Sequence, residues 1–431
     1  MAITGRAALL TLLGIVPAVL WPSGALVRIW VVVVVLLVAL DTLLAPAPAR
    51  LQVHRRMDRS NLRLGDNAPT VLTITNPTTR QARGLARDAW QPSAGATPTR
   101  HALTIPAGER VRISTTLAPT RRGDLHAAGV TIRLLGPLGL GGRQRTLDVP
   151  GSIRALHAFP ARRHLPSRLA VLRQLDGRAA VRVRGQGTEF DSLRDWVDGD
   201  DVRSIDWRAT ARREALVVRT WRPEQHRRVV IVLDTSRTSA GRVGDAPRLD
   251  AAMDAALLLT ALAGHAQDRV QVIAGDRTVR ARVRGNDRAT LLHETISTLA
   301  PIHPQLVEAD WRTLAAEIHR LTSQRALVVL LTPLESAAVE EGLIPVLPGL
   351  VAHHTVVVAS VADPAVAAAA ARRDGTSAVY GAAAAERTTT LRARTAAALR
   401  RLGVGVIDAG PDEVPVLLAD HYLALKRAGQ L

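Results

Sequence analysis

The chain begins with two almost uninterrupted apolar stretches. Residues 7–20 (AALLTLLGIVPAVL) form the first, and residues 26–44 form the second, which is broken only by Arg28 and Asp41 near its two ends. The second stretch is long enough to cross a bilayer as a helix, whereas the first is shorter and contains a proline. We predict a two-helix transmembrane anchor over residues 1–47.

Charges beside these stretches predict their orientation. Four arginines soon follow the second stretch, whereas the connection at 22–25 is uncharged. By the positive-inside rule both ends are expected in the cytoplasm, which predicts a multi-pass protein of the bacterial inner membrane with a cytoplasmic body. A signal peptide is the alternative, because Arg6 and the small residues at 23–25 fit its pattern. Asp41 lies near the interface, where we expect it to reach lipid headgroups.

Short alternating strands follow the anchor. Segments such as Pro69–Thr75 (PTVLTIT) and Val111–Leu117 (VRISTTL) alternate apolar and polar residues, and turns rich in proline, glycine and asparagine separate them. This pattern predicts an antiparallel, all-β sandwich-like domain over residues 51–160. The glycine-rich segment 136–142 (GPLGLGG) has no lysine or hydroxyl residue after it, so we predict a turn instead of a phosphate loop.

The last half of the chain has a different periodicity. A β-branched run, Val229–Leu233, ends in an acid followed by hydroxyl residues, and apolar helical and strand-like segments alternate after it. Such alternation predicts an α/β doubly wound domain over residues 225–431. The intervening residues 161–224 are predicted to be a linker, whose stretch from 185 to 212 is polar and has neither helical nor strand periodicity.

Four motifs occur in order within this linker: GxGxEF, LRxW, GDDxRxIDW and ATAR. The residues that carry them are Gly185, Gly187, Glu189, Phe190, Leu193, Arg194, Trp196, Gly199, Asp200, Asp201, Arg203, Ile205, Asp206, Trp207, Ala209, Thr210, Ala211 and Arg212. We refer to residues 185–212 as the motif block. In this order, before an α/β domain, they resemble a membrane-anchored bacterial family catalogued as domain of unknown function fifty-eight.

The resemblance covers most of the chain and carries several implications. It implies a von Willebrand factor A-like fold for residues 225–431. It also implies a partner, because such proteins commonly accompany MoxR-type AAA+ ATPases that are thought to act in the assembly or maturation of other proteins.

A metal site is a further implication of the resemblance. A-like domains often bind a divalent cation through Asp-x-Ser-x-Ser after the first strand, together with a threonine and an aspartate from later loops. The corresponding first loop here consists of Asp234, Ser236 and Thr238. The later positions hold Thr332 and Ala309-Asp310, so two contributors are missing. We expect Asp234 to cap a loop or helix and predict no metal or cofactor, with magnesium bound through waters as the alternative.

The interleaved acids and arginines of the motif block admit three interpretations. Paired carboxylates can perform acid–base catalysis, but no nucleophile, metal-ligand set or base histidine accompanies them at recognisable spacing. We therefore predict no catalytic residues. The preferred interpretation is a structural network that holds the block against the α/β domain, with Trp196 and Trp207 as apolar pins. A docking surface for a partner protein is the second.

Composition narrows the function further. The chain has no cysteine, and Lys426 is the one lysine among 56 basic residues, which excludes thiolate catalysis and argues against P-loop and Schiff-base chemistry. Net charge is +18, but the arginines are spread along the chain and aromatic residues make up 3%, so nucleic acid is not an expected partner. We expect a non-enzymatic, membrane-anchored adaptor. A membrane-tethered hydrolase and a protein that binds nucleic acid or anionic lipid are the alternatives.

Overall fold

The structure is a computed structural model that describes residues 2–182, 189–198, 200–213, 215–222, 227–285 and 288–431. The chain divides into two compact units, Met1–Ala158 and Phe159–Leu431.

The first unit opens with the apolar stretches. Its first strand and helices are β1 Ala2–Ile3, α1 Gly5–Leu13, α2 Ile15–Leu20 and α3 Gly24–Leu44. Among the described residues, α3 with the turn after it (Gly24–Arg50) is the one helical stretch long and apolar enough to cross a membrane. The earlier stretch forms two short helices that meet at Gly14, because Pro17 cannot donate to the preceding turn.

Nine more strands complete this unit. They are β2 Gln52–Met57, β3 Asn61–Arg63, β4 Ala68–Thr75, β5 Ala82–Trp90, β6 Arg100–Ile105, β7 Arg110–Leu117, β8 Gly123–Leu135, β9 Gly141–Leu147 and β10 Ser152–Leu156. One sheet has the order β2-β4-β7, and a larger one contains β1, β9, β8, β5, β6, β10 and β3. Leu72 and Ile74 of the smaller sheet share one core with Ile105 and Ile132 of the larger. The pairs are antiparallel, as predicted, except that β10 and β3 run parallel.

The Asp41 carboxylate is bound by the loop between β8 and β9. Its oxygens accept hydrogen bonds from the backbone N–H groups of Leu138 (2.7 Å), Leu140 (2.7 Å) and Gly141 (2.8 Å), and the residue is fully buried. A Cβ on Gly136 would lie 2.2 Å from the Asp41 carbonyl oxygen, so glycine is required there. The segment 136–142 is a turn, as predicted. The expectation that Asp41 reaches lipid headgroups was wrong, because the protein backbone satisfies its charge.

The second unit contains the remaining elements. Its helices are α4 Leu165–Arg182, α5 Trp207–Arg213, α6 Arg248–His265, α7 Arg288–Leu299, α8 Trp311–Leu321, α9 Ser336–Ala338, α10 Leu347–Val351, α11 Pro364–Ala371, α12 Thr376–Arg401 and α13 Val414–Ala428. Its strands are β11 Glu189–Asp195, β12 Val217–Arg222, β13 Arg228–Asp234, β14 Arg242–Val243, β15 Ala246–Pro247, β16 Arg269–Gly275, β17 Val279–Gly285, β18 Leu327–Leu331, β19 Thr355–Val361 and β20 Gly405–Ala409.

Within the described residues, six of these strands form one sheet in the order β17-β16-β13-β18-β19-β20. The edge strand β17 is antiparallel to β16, and the other neighbours are parallel. β13 and β18 are almost wholly buried because helices cover both faces, which is why they read as continuous apolar runs. The α/β prediction is confirmed at this level.

The predicted linker is more structured than expected. Helix α4 lies within it, and Arg168 on this helix forms an ion pair with Asp420 of α13 (3.1 Å). The motif block, which has neither helical nor strand periodicity, contains β11 and most of α5, and β12 follows it. Its strands and helix are too short, and too rich in charge, for their periodicity to appear in the sequence.

Candidate functional site

Asp234 and Thr332 meet at the carboxyl edge of the α/β sheet. Asp234 is the last residue of β13, and Thr332 directly follows β18, its parallel neighbour. Between these two strands the order of connection reverses, so helices leave the sheet in opposite directions and a crevice opens. Ligands of open α/β sheets bind in such a crevice, which makes this edge one candidate site.

Both oxygens of Asp234 are occupied by donors from the protein. Oδ1 accepts the backbone N–H of Ser236 at 2.8 Å, and Oδ2 accepts the hydroxyls of Thr332 at 2.7 Å and Thr238 at 3.1 Å. The hydroxyls of Ser236 and Thr238 lie 3.0 Å apart. Asp234 is 1% exposed, and burial raises the pKa of its carboxyl, although these hydrogen bonds oppose the effect.

This arrangement fits a divalent cation poorly. A bound ion needs several oxygen ligands with free lone pairs and negative charge to offset its own. Here Thr332 donates to Asp234, and Asp310 caps the start of α8 by accepting the N–H groups of Arg312 and Thr313. Among the described residues, no group of three or more histidines, cysteines, aspartates and glutamates is placed to hold a metal.

We refer to Asp234, Ser236, Thr238 and Thr332 as the Asp234 centre, and a small pocket opens beside it. It is lined by Asp234, Ser236, Thr238, Glu308, Ala309, Trp311, Thr332, Ala338 and Val339. Glu308 forms an exposed ion pair with Arg237 beside it. Sequence reasoning missed Asp276, which is also buried and accepts the hydroxyl of Thr235 at 2.8 Å. Its position directly after β16, at the same edge of the sheet, was the available signal.

The motif block is built around the antiparallel pair β11 and β12. The segment between them returns to the pair through Ile205, which bridges to Val218, and through Thr210, whose hydroxyl accepts the N–H of Val217 at 3.1 Å. Arg194 on β11 donates two hydrogen bonds to Asp200, at 2.5 and 2.7 Å. Asp200 also accepts the N–H of Val197 at 3.0 Å, so it closes this turn.

The other acids of the block have similar local partners. Asp201 accepts the N–H of Arg203 at 2.9 Å and so begins a short 3-10 turn. Asp206 accepts the N–H groups of Arg208 and Ala209 at the start of α5, and its second oxygen accepts Arg219 Nε at 2.8 Å. The paired arginine, then a backbone donor, lowers the pKa of Asp200 and of Asp206.

The apolar residues of the block are divided between two environments. Leu193 and Trp196 are half-buried, whereas Trp207 is 65% exposed. The prediction that Trp207 is an apolar pin was therefore wrong, because its ring faces solvent at the start of α5. Arg203 and Arg212 are also exposed.

Parts of the first and third motifs fall outside the residues that the structure describes. Gly185, Gly187 and Gly199 lie outside the described residues. Glu189 and Phe190 are described by their backbone, which pairs with Arg222 and Trp221 of β12.

Together these features define a protein with an apolar helix near its N-terminus, a β-rich unit and an α/β unit that carries an acid–arginine block. Residues 192–401 match the model of the family described as "Protein of unknown function DUF58". The chain belongs to this family, as the motif block predicted.

Comparisons with other proteins give short, distant matches. No curated protein matches the chain. The CARDB domain of a Pyrococcus furiosus protein is 10% identical, covers 24% of this chain and 91% of its own, and has a TM-score of 0.18. A PapD-like domain of human CEP192 is 12% identical over 26% of this chain and 89% of its own (TM-score 0.18), and a FixG-related protein from Vibrio parahaemolyticus is 13% identical over 25% and 96% (TM-score 0.17).

Proposed function

We propose that this chain is a membrane-anchored adaptor that binds partner proteins through its second unit. Helix α3 and the apolar stretch before it form the anchor, with both ends in the cytoplasm, so the protein is a multi-pass protein of the bacterial inner membrane. The length of α3 and the arginines that follow it favour this arrangement.

A von Willebrand factor A-like fold for residues 225–431 is part of the proposal. Numbered along the chain, the six described strands of the sheet lie in the order 3-2-1-4-5-6, and the third is the antiparallel edge strand. This order agrees with that fold. The Asp234 centre occupies the place where such domains bind a cation, and its hydroxyl groups satisfy the carboxylate without one.

One observation carries the adaptor proposal: the acids of the motif block stabilise the block itself, while three of its apolar side chains face solvent. Asp200 and Asp206 are engaged by arginines and backbone N–H groups. A general acid at neutral pH needs a raised pKa, and both of these are lowered. Val197, Val202 and Trp207 are each more than 60% exposed, and exposed tryptophan is typical of protein interfaces.

The proposed partner is a MoxR-type AAA+ ATPase, which acts with this protein in the assembly or maturation of other proteins. The family resemblance supports this choice of partner. The exposed apolar residues of the block supply the surface that the ATPase would contact.

Co-purification tests the proposal. The full chain, solubilised from membranes in mild detergent, is immobilised and mixed with the purified MoxR-type ATPase of the same bacterium. The amount of ATPase retained by the variant Val202→Ser/Trp207→Ser should be lower than that retained by the unmodified chain by a factor of about ten or more. Apolar side chains at the centre of an interface dominate its binding energy, and this variant removes two of them. Tyr380→Ser on α12 is the matched control, because Tyr380 is 75% exposed.

Two results would contradict the proposal. One is that the unmodified chain retains no AAA+ protein. The other is that all three forms retain the ATPase equally. Thermal unfolding of each variant verifies that the fold is intact, which is expected because these side chains are exposed.

A further inference from the structure

The outer face of the larger sheet in the first unit is rich in arginine. Residues that lie directly opposite on β5, β6, β8 and β9 point to the same side of the sheet. One side supplies the buried core residues Ala86, Ile105 and Ile132. The other carries Arg83, Leu85, Arg87, Arg100, Ala102, Thr104, Thr131, Arg133, Leu135, Gln144 and Thr146. This outer face has four arginines and no acid.

Two of these arginines are direct neighbours across strands. Arg87 on β5 lies opposite Arg100 on β6, and like charges in this position repel. Both are exposed, and within residues 2–158, all of which the structure describes, neither side chain has a hydrogen-bond or ion-pair partner. The arginine content of the whole chain does not explain why a like-charge pair lies on a face without acids.

A third arginine completes a pocket beside this pair. Arg133 on β8 is oriented by Gln144, whose Oε1 accepts its Nε at 3.0 Å and its Nη2 at 2.9 Å. Thr131 lies opposite Arg87, and its hydroxyl is 2.9 Å from that of Thr146. The pocket is lined by Leu85, Ala86, Arg87, Arg100, Thr131, Arg133 and Gln144.

We propose that this pocket binds the phosphate group of an anionic phospholipid headgroup. Guanidinium groups present planar, paired donors that match phosphate oxygens, and the threonine hydroxyl adds another donor. A bound anion also removes the repulsion between Arg87 and Arg100.

The position of the face relative to α3 identifies lipid as the source of the phosphate. Arg143, the residue before Gln144, donates to the carbonyl oxygens of Thr42 (3.1 Å) and Leu43 (3.2 Å) in the last turn of α3. At about 3.3 Å per residue, Thr146, whose hydroxyl contacts that of the pocket residue Thr131, lies roughly 10 Å further along β9. A headgroup layer is about 5–8 Å deep, so long arginine side chains reach it. This inference rests on the proposed membrane anchor and is independent of the ATPase.

A fluorescence experiment on the full chain tests the inference. The chain has no cysteine, so Thr104→Cys, on the same face but outside the pocket, places one label specifically. The labelled protein is inserted into nanodiscs that contain a constant fraction of a headgroup-quencher lipid, and phosphatidylglycerol replaces phosphatidylcholine stepwise. We expect quenching to increase with phosphatidylglycerol. Each arginine removed should weaken this response about fivefold, so Arg87→Gln/Arg100→Gln/Arg133→Gln should nearly abolish it.

The matched control is Arg59→Gln/Arg110→Gln/Arg112→Gln, which removes the same charge from exposed positions outside this face. It should respond like the unmodified chain. Equal responses of the two triple variants would overturn the inference, because attraction would then depend on net charge alone. A change in the fluorescence of the label on addition of inorganic phosphate, without any response to phosphatidylglycerol, would also overturn the inference, because the pocket would then bind a soluble ligand. Failure to enter the nanodiscs would overturn the anchor as well, whereas insertion without a lipid response would overturn this inference alone.

Discussion

The hydroxyl of Thr332 donates a 2.7 Å hydrogen bond to the carboxylate of Asp234 at the switch point of the α/β sheet. The two residues are 98 positions apart in the chain, and the pairing of Leu233 with Leu331 brings them together. An uncharged donor therefore faces the buried carboxylate of Asp234 at this edge of the sheet. The carboxylate is satisfied without a cation, and burial disfavours its charged form.

Thr332→Asp should make folding of this unit depend on magnesium. Two adjacent buried carboxylates repel each other, and a hard cation with oxygen ligands relieves the repulsion. The variant should be less stable than the unmodified chain in EDTA and should recover in millimolar MgCl₂, as measured by thermal unfolding. The control Thr332→Val removes the donor without adding charge and should lose about 1–3 kcal/mol in both buffers. A magnesium-dependent shift in the unmodified chain would show that the present residues already bind the ion.

The lowered pKa of Glu317 should make the stability of the fold depend on pH. It accepts hydrogen bonds from Arg320 of α8 (2.7 and 2.9 Å) and from Arg282 of β17 (2.6 Å), and these arginines lower its pKa from 4.5 to about 2. A lowered pKa stabilises the fold above the unfolded value of 4.5, and this contribution is lost as pH falls towards 2.

Glu317→Gln should therefore reduce the free energy of unfolding by about 1–2 kcal/mol at pH 7, because both arginines are partly exposed and screened. The difference should shrink in urea unfolding curves recorded from pH 5 down to about pH 3. Glu340→Gln, an exposed acid with no ion pair among the described residues, should show little difference at any pH. A constant difference for Glu317→Gln across this range would mean that packing, not charge, accounts for the effect.

The sequence predicted long elements well and local polar structure poorly. β13 and β18 are buried on both faces, so each is a continuous apolar run that can be recognised as a strand from its own sequence, without knowledge of its neighbours. The turns closed by Asp200 and Asp206 depend on hydrogen bonds that leave no periodic trace. The Asp41 carboxylate finds its donors about 100 residues away, and only the pairing of strands brings that loop to α3.

The contributions of Arg55 and Asp88, a buried ion pair in the first unit, to the free energy of unfolding should be strongly non-additive. Asp88 is fully buried and accepts two hydrogen bonds from Arg55, at 2.8 and 3.0 Å, and one from Trp90 Nε1 at 3.2 Å. Asp88→Ala leaves a buried guanidinium without its partner and should cost about 3–5 kcal/mol. The double variant Arg55→Met/Asp88→Leu removes both charges and should be close to the unmodified chain in stability. Urea unfolding of the unmodified chain, Arg55→Met, Asp88→Leu and the double variant gives the coupling energy, and additive losses in the two single variants would contradict the prediction.

Removal of the Asp41 carboxylate should release the loop between β8 and β9 while the strands stay paired. Three backbone N–H groups, those of Leu138, Leu140 and Gly141, converge on this one side chain. In Asp41→Ala they lose their acceptor in a buried site, and the cost of each orphaned donor, about 1–3 kcal/mol, favours local opening. Hydrogen exchange at these amides, followed with the full chain in nanodiscs, should accelerate at least about tenfold.

Two further variants separate the effect of the carboxylate from a general loss of stability. Asp41→Asn keeps one acceptor oxygen and should fall between Asp41→Ala and the unmodified chain. Asp58→Ala removes an exposed acid of the same unit and should leave these amides unchanged. The amide of Ile132 lies in the buried centre of β8 and reports on the sheet itself. If its exchange accelerated as much as that of Leu140, Asp41 would support the whole sheet. If exchange accelerated at neither Ile132 nor Leu140, strand pairing alone would hold the loop. The Asp41 carboxylate would then contribute little to the attachment of the loop to the end of α3.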